Sequence, residues 1–369
     1  MEADISYLST PDGWSQERFL AHGGFTVVFM NCNKGKYIER SVKSALDQDF
    51  PLLEMLFMDD ASTDGSGDTM ERLVREYAGR HKVAVLRNHS NRGISQQWNM
   101  ASKHATGEWL AMFCADDVAR LDRISVSAAL LKKFPYALGM CTNGTREDVC
   151  ESGKGAPIFS DERALTVSGR DMASIGRNAT AVIGATAVWH RSLFDEPLPV
   201  VPLDDVALRF VLQCKGCDTD GAVWICDGKT KSIVYGMNDG VTTQYDYGDL
   251  TGFADKRNRW LHMTRCNRNF NRLMLETWKE LVEWSAQKAS RRHVGFALAK
   301  RQELQYGILA GNTLTRLLAL PKLVLLLFRC RGIARLAGKT WATWMKLLIQ
   351  EFFGLRFAAL ISTSFKCGE

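Results

Sequence analysis

Four short apolar runs alternate with helix-length amphipathic stretches between residues 25 and 134, and two of those runs lead into a pair of aspartates. Phe25–Met30, Glu54–Met58, Val83–Leu86 and Glu108–Phe113 have the length and composition of strands. Tyr37–Leu46, Thr69–Tyr77, Ile94–Ala105 and Arg123–Phe134 carry apolar residues at helical spacing, as in Met70, Leu73, Val74 and Tyr77. Strands separated by helices of this length need crossovers, so the pattern predicts a mostly parallel, Rossmann-like sheet flanked by helices. Ligands of such sheets bind beyond the carboxyl ends of the strands. Asp59-Asp60 follows the second run and Asp116-Asp117 the fourth, which puts both pairs at that edge. Carboxylates there suit a divalent ion and, through it, a diphosphate, which suggests an enzyme acting on a nucleotide-activated substrate.

The chain has 369 residues, enough for one large domain with an appendage. Past Pro135 the alternation loosens. Leu138–Thr142 reads as a strand, Cys150–Ser168 as a loop, and Ala179–Trp189 as a small-residue strand packed close to a ligand. Asp204–Cys214 reads as a helix, and Ala222–Cys226 and Ser232–Tyr235 as two short strands. The expected organisation is a polar lead over 1–22, an α/β domain over 23–253 divided near residue 135, and a helical region over 254–369.

That last region is basic. Between Glu303 and Glu351 there is no acidic residue, while Arg316, Lys322, Arg329, Arg331, Arg335, Lys339 and Lys346 lie among Leu, Trp and Phe. Leu317–Phe328 is interrupted by Pro321 and Lys322, which argues against a membrane-spanning helix. Two readings stay open: a segment lying on an anionic membrane surface, or a helical subdomain with its own core.

The formal net charge of +6 does not argue for nucleic acid, and no reader motif accompanies it. The ten cysteines are scattered, and Cys32, Cys114, Cys141 and Cys226 fall in apolar runs or at their ends, as free thiols do in a reducing compartment. Cys214-Lys215-Gly216-Cys217 lacks the second ligand pair that a structural zinc needs. The start of the chain has no apolar signal segment, so a cytoplasmic setting is expected, and three Asn-x-Ser/Thr sites are taken as chance matches.

The same segments, in order, resemble the family 2 inverting glycosyltransferases, which have the nucleotide-diphospho-sugar transferase fold called GT-A. Val27–Lys34 resembles the family's first strand and turn, and Tyr37–Asp49 with Phe50-Pro51 its helix ending in S-x-L-x-Q-x-(Y/F)-P. Glu54–Gly65 resembles the D-D-x-S-x-D-G segment, and Asn91–Ser95 with Asn99 the N-x-G helix start. Gly107–Asp117 with Leu121-Asp122-Arg123 resembles the segment ending in D-x-D-D-x-x-x-P-x-(R/K).

The resemblance implies roles. Asp60 would accept from the imide N–H of uracil or thymine, with Asp59 supporting that loop; both could instead serve as turn or cap residues. Asn31, Asn33 and Gly93 would line the nucleotide. Trp98 would stack on the base or belong to the core. Asp117 would bind Mg2+ or Mn2+, and Asp116 the ribose or the ion. Leu203–Leu208 resembles the E-D-x-x-L segment, making Asp205 the general base and Asp204 its partner, against the plainer reading that both favour a helix N-terminus. Gly184, Ala185 and Thr186 would line the donor sugar and acceptor.

Departures from the pattern are specific. Cys114 replaces the first Asp of D-x-D-D and is a poor ligand for a hard cation. Gly236, Met237 and Asn238 stand where the family often has a His. The implied function is metal-assisted transfer from a UDP- or dTDP-sugar to a hydroxyl of a glycan or lipid-linked glycan. It would serve cell-surface polysaccharide or lipopolysaccharide synthesis on the inner face of a membrane. The competing class is a catalytically weakened protein of the same fold that binds glycans or regulates. A dinucleotide-binding enzyme is disfavoured, since Asn31-Cys32-Asn33-Lys34-Gly35 follows the first strand in place of G-x-G-x-x-G.

Overall fold

The computed structural model describes residues 6–146, 157–158, 164–168, 184–216, 221–235, 268–286 and short pieces at 299–300, 302–304 and 306–307. The chain forms two compact units, Met1–Gly240 and Val241–Glu369.

In the first unit the parallel strands are β2 (Phe25–Asn31), β3 (Glu54–Asp59), β4 (Lys82–Arg87) and β5 (Trp109–Cys114), after an edge strand β1 (Ser6–Ser9). Between them run α2 (Ile38–Leu46), α3 (Ser66–Arg75) and α4 (Ile94–His104), after a short α1 (Gln16–Ala21). β3 is buried along its whole length, as a central strand covered on both faces must be. α2 turns Ile38, Val42, Ala45 and Leu46 inward, and α3 turns Met70, Leu73 and Val74 inward, so each helix covers the sheet with one apolar stripe. The parallel strands lie in the order β4-β3-β2-β5. The chain therefore reverses its direction of progress between β2 and β5, and the crevice at that switch point is where such sheets bind ligands.

The second half continues the same sheet with β6 (Val118–Ala119), α5 (Arg123–Leu131), β7 (Gly139–Arg146), β8 (Ala164–Ser168), β9 (Val188–His190), α6 (Asp204–Gly216) and β10 (Ala222–Tyr235). β9 runs antiparallel to both β5 and β7, and so joins the parallel half to a mixed half. β10 pairs in parallel with β7 and antiparallel with β6 and β8. The expected α/β, Rossmann-like sheet flanked by helices is thus observed.

Four local expectations change. The polar lead is partly structured: β1 pairs antiparallel with β4, and Tyr7 Oη donates to the buried Glu54 at 3.0 Å. The expected loop over Cys150–Ser168 contains β8, whose pattern is too exposed to mark it as apolar. Of the strand expected over Ala179–Trp189, residues 179–183 lie outside the described residues, Gly184–Thr186 is a tight 3-10 turn, and only Val188–His190 is strand. The two strands expected near the end are one. Asp227 accepts from Lys229 N and Thr230 Oγ1, and the register against β7 shifts between Asp227 and Lys231, so the polar Asp-Gly step is a bulge rather than a break.

In the second unit a helix spans Arg268–Ala286. Its Met274, Thr277, Trp278, Leu281, Val282 and Ser285 are buried, which is one face at helical spacing. The basic stretch over 308–351 and Cys217 lie outside the described residues. No helix among the described residues is long and apolar enough to cross a membrane.

Candidate active site

The strand register brings the acidic pairs to one edge. Asn31 at the end of β2 pairs with Asp59 at the end of β3, and Met30 pairs with Cys114 at the end of β5.

Asp59 is buried and enclosed by the loop after its own strand. It accepts from Asn31 Nδ2 at 2.7 Å, Ser62 N at 3.1 Å and Ser62 Oγ at 2.6 Å. A Cβ on Gly67 would stand 2.7 Å from Asp59 Oδ2, so glycine is required where α3 starts against this carboxylate. Asn31 Nδ2 also donates to Ser66 Oγ at 2.9 Å, and Thr63 N donates to Asn33 Oδ1 at 2.8 Å. Asn31 and Asn33 are therefore placed as braces between the loops after β2 and β3. Asn33 and Ala61 hold the left-handed backbone conformation, at φ 54° and 56°, which tight loops at functional sites often impose.

Asp60 reaches the other way. Its Oδ1 accepts from Asn88 Nδ2, Arg92 N and Gln97 Nε2, each at 2.9 Å, and its Oδ2 accepts from Gly93 N at 2.9 Å. Gly93, at φ 77°, takes a conformation that a side chain would resist, and so lets the backbone turn onto the carboxylate as α4 begins. The amide oxygens Asn31 Oδ1, Asn88 Oδ1 and Gln97 Oε1 are buried without a hydrogen-bond partner. Such groups in a native fold call for a water, an ion or a ligand.

On the far side of β2, the donor atoms of Cys114, Asp116 and Asp117 lie within 4.8 Å of one another. Burial, followed by the charges of Asp117, Asp116 and Asp204, pushes the Cys114 thiol well above its ordinary range. A protonated thiol is no ligand for a hard cation, so two carboxylates of this set fit Mg2+ or Mn2+ and the cysteine does not. Lys34 Nζ lies 2.9 Å from Asp116 Oδ2.

The third pair opens α6. Trp98 Nε1 donates to Asp204 Oδ2 at 2.8 Å. Trp98 itself is fully buried and stacks on Phe194 at 5.4 Å. Asp204 is pushed up to about 7, by burial first and then by the charge of Asp205, and burial also raises Asp205. A Cβ on Gly184 would stand 3.6 Å from Asp205 Cβ, so Asp205 lies against the turn Gly184–Thr186. That turn is fixed from beneath. Arg123, buried in α5, donates to Ala185 O at 2.9 Å and to Met112 O, and Thr186 Oγ1 donates to Thr142 O at 2.7 Å.

The second and third pairs lie within reach of common neighbours. The charge of Asp204 acts on Cys114, and those of Asp117, Asp116 and Asp205 act on Tyr235, whose phenol is raised by burial first. The pairing of Val234 with Val118 explains this, since it carries the end of β10 to the Asp117 loop. Sequence reasoning gave no role to Lys34, Asn88, Gln97, Arg123 or Tyr235. Lys34 and Arg123 lie inside recognised segments, whereas nothing in the local pattern points to Asn88, Gln97 or Tyr235.

A family profile described as "Glycosyl transferase family 2" matches residues 26–196. Curated relatives include the putative glycosyltransferase EpsE of Bacillus subtilis, 30% identical over 29% of this chain and 37% of its own length. Another is the putative teichuronic acid biosynthesis glycosyltransferase TuaG of Bacillus subtilis, 26% identical over 43% of this chain and 64% of its own. The chondroitin synthase of Escherichia coli is 31% identical over 36% of this chain and 19% of its own. The chain thus spans less than two thirds of the length of each of these three relatives. Among solved structures, S. aureus TarS 1-349 in complex with UDP-GlcNAc aligns at 18% identity and TM-score 0.47, over 89% of this chain and 91% of that one. The mannosyltransferase PcManGT from Pyrobaculum calidifontis, in complex with GDP-Man and Mn2+, aligns at 16% identity and TM-score 0.45, over 91% and 93%.

Proposed function

We propose that this chain, a member of the family 2 glycosyltransferases through its residues 26–196, transfers a sugar from a UDP- or dTDP-sugar to a hydroxyl with inversion. One observation carries the reading. The carboxylates Asp116 and Asp117 follow β5 beside the switch point of the parallel sheet, and the pair that opens α6 lies near enough for the charge of Asp204 to act on Cys114.

In this reaction the acceptor oxygen attacks the anomeric carbon. The bond from that carbon to the diphosphate oxygen breaks, the acceptor proton passes to a carboxylate, and the nucleoside diphosphate leaves. Asp205 takes the proton in our assignment, because it lies against Gly184 while Asp204 Oδ2 is engaged by Trp98. Asp204 keeps a raised proton affinity close by, from burial and from the charge of Asp205. Gly184, Ala185 and Thr186 shape the sugar and acceptor side.

Asp116 and Asp117 would hold the ribose and a Mg2+ or Mn2+ ion, which when bound would neutralise charge on the departing diphosphate. Asp60, with one hydrogen bond on Oδ2, retains accepting capacity for an imide N–H. Asp59, Asn33 and Gly93 hold this corner in shape.

A glycan or lipid-linked glycan of the cell surface is the acceptor class we favour, supported by the names of TuaG and chondroitin synthase. The basic C-terminal stretch would seat the enzyme on an anionic membrane from the cytoplasmic side.

The test is release of UDP from a panel of UDP-sugars with Mg2+ or Mn2+, with and without candidate acceptors. Asp205→Asn is expected to lower transfer by about 10²–10⁴ while UDP still binds. Undiminished transfer by Asp205→Asn would remove the assignment of the base. Nucleotide and glycan binding with no turnover of any donor would favour the glycan-binding alternative.

A further inference from the structure

Lys34 forms an ion pair with the acidic set beyond β5, and it is built into place. Its ammonium lies 2.9 Å from Asp116 Oδ2, with only 17% and 14% of the two side chains exposed. The turn that carries it is clamped on both sides. Asn33 N donates to Ser62 Oγ at 2.9 Å, and Gly35 N donates to Asp64 Oδ2 at 2.7 Å. Asp64 is itself fixed by accepting from Ser66 N at 3.0 Å and Ser66 Oγ at 2.5 Å. A surface lysine that meets a carboxylate by chance has a freely moving chain and little net interaction. Here the loops after β2 and β3 hold the backbone on either side, and the pair is mostly shielded from water.

Asp116 is also a donor in the set that could hold a divalent ion. An ammonium and a divalent ion brought to one carboxylate repel each other, and each weakens the other's hold on it.

We propose that Lys34 is a resident counter-ion of the Asp116–Asp117 crevice. It holds Asp116 in the free protein, competes with the divalent ion for that carboxylate, and offers its ammonium to the donor diphosphate. The proposal rests on the reading of this crevice as the diphosphate side of a glycosyltransferase site. Lys34 is then the group that sets how strongly the protein depends on metal.

The experiment compares the full-length protein with Lys34→Gln and Lys34→Arg by Mn2+ titration without nucleotide, followed by electron paramagnetic resonance. UDP and uridine titrations by calorimetry with EDTA present follow. Lys34→Gln is expected to bind Mn2+ roughly tenfold tighter and metal-free UDP roughly tenfold weaker, with Lys34→Arg close to wild type in both. Uridine, which lacks the diphosphate, should not respond to either substitution. Unchanged Mn2+ affinity in Lys34→Gln overturns the proposal, as does Mn2+ tightening in Lys34→Arg equal to that in Lys34→Gln. If UDP binds normally while Mn2+ affinity is unmoved, the proposal falls alone and the transferase reading stands. If Mn2+ tightens in Lys34→Gln but no protein binds UDP, the competition stands and the transferase reading fails.

Discussion

Trp98 Nε1 and Asp204 Oδ2 are joined by a 2.8 Å hydrogen bond across 106 residues of chain. It ties α4 of the nucleotide half to the first turn of α6, which carries the proposed base. A carboxylate of raised proton affinity is thus held by a donor that favours its charged form.

Trp98→Phe removes that donor and keeps most of the ring. The loss of about 1 kcal/mol of hydrogen bonding to the charged state should raise the proton affinity of the pair by roughly half a unit or more. The acidic limb of the kcat/KM–pH profile is expected to move to higher pH, with stability lowered by about 1–2 kcal/mol. A profile that falls in amplitude without shifting would show that the bond does not tune the pair.

Asp204 also bears on stability. Its folded value of about 7 exceeds the ordinary 3.8, so the native state binds this proton more tightly than the unfolded chain. Its contribution is fully present below about pH 4 and is lost as pH rises through 7. Asp204→Asn should remove that loss and raise Tm at pH 8 by about 2–4 °C, corresponding to about 1 kcal/mol. Differential scanning calorimetry from pH 4 to 8 checks both the size and the window.

His81 works in the opposite sense. Burial lowers it from 6.5 to about 4, and the ring accepts from Leu53 N at 3.3 Å while meeting Gln48 O at 3.1 Å. The unfolded chain therefore takes up the proton first, and stability is lost as pH falls from 6.5 through 4. His81→Gln should lose stability at pH 7 and show a flatter decline below pH 6, as followed by urea unfolding.

Glu54 lies at the amino end of β3, the opposite edge from the candidate site. It accepts from Tyr7 Oη, Thr26 Oγ1, Thr106 N and Thr106 Oγ1, and pairs with Lys82 at 3.4 Å. Glu54→Ala strands the buried Lys82 ammonium and is expected to cost about 3–5 kcal/mol. Transfer per folded molecule should hold, because nothing at the carboxyl edge depends on this cluster. A fall in kcat of the folded fraction would count against that separation.

Cys114→Asp restores the acidic residue missing from the D-x-D-D segment. It should tighten Mg2+ roughly tenfold in calorimetry, since an oxygen ligand replaces a protonated thiol. The added charge beside Asp116, Asp117 and Asp204 should also lower stability in metal-free buffer.

Much of this architecture is legible because it is local. Met70, Leu73 and Val74 mark a helix face, and the run Met55–Phe57 before Asp59 marks a buried strand. Boundaries move by a few residues, as with the helix expected from Thr69 that starts at Ser66, where Gly65 in the left-handed conformation sets the turn. β8 and the Asp227 bulge were not legible, because pairing with a distant strand rather than local pattern holds them. Asn31 and Trp98 show the same limit at the site, since their partners Asp59, Ser66 and Asp204 could not be assigned by spacing.

The sequence by itself determined the alternation of strands and helices, the edge at which Asp59-Asp60 and Asp116-Asp117 stand, and the family motifs around them. Hydrophobic period and strand ends depend only on neighbours along the chain. Tertiary structure alone decided which carboxylates face one another. It set Asp204 against Trp98, Asp205 against Gly184 and Lys34 against Asp116. Those contacts follow from the strand order and from the loops that the sheet brings together, and the proton affinities of the third pair follow from the burial that results.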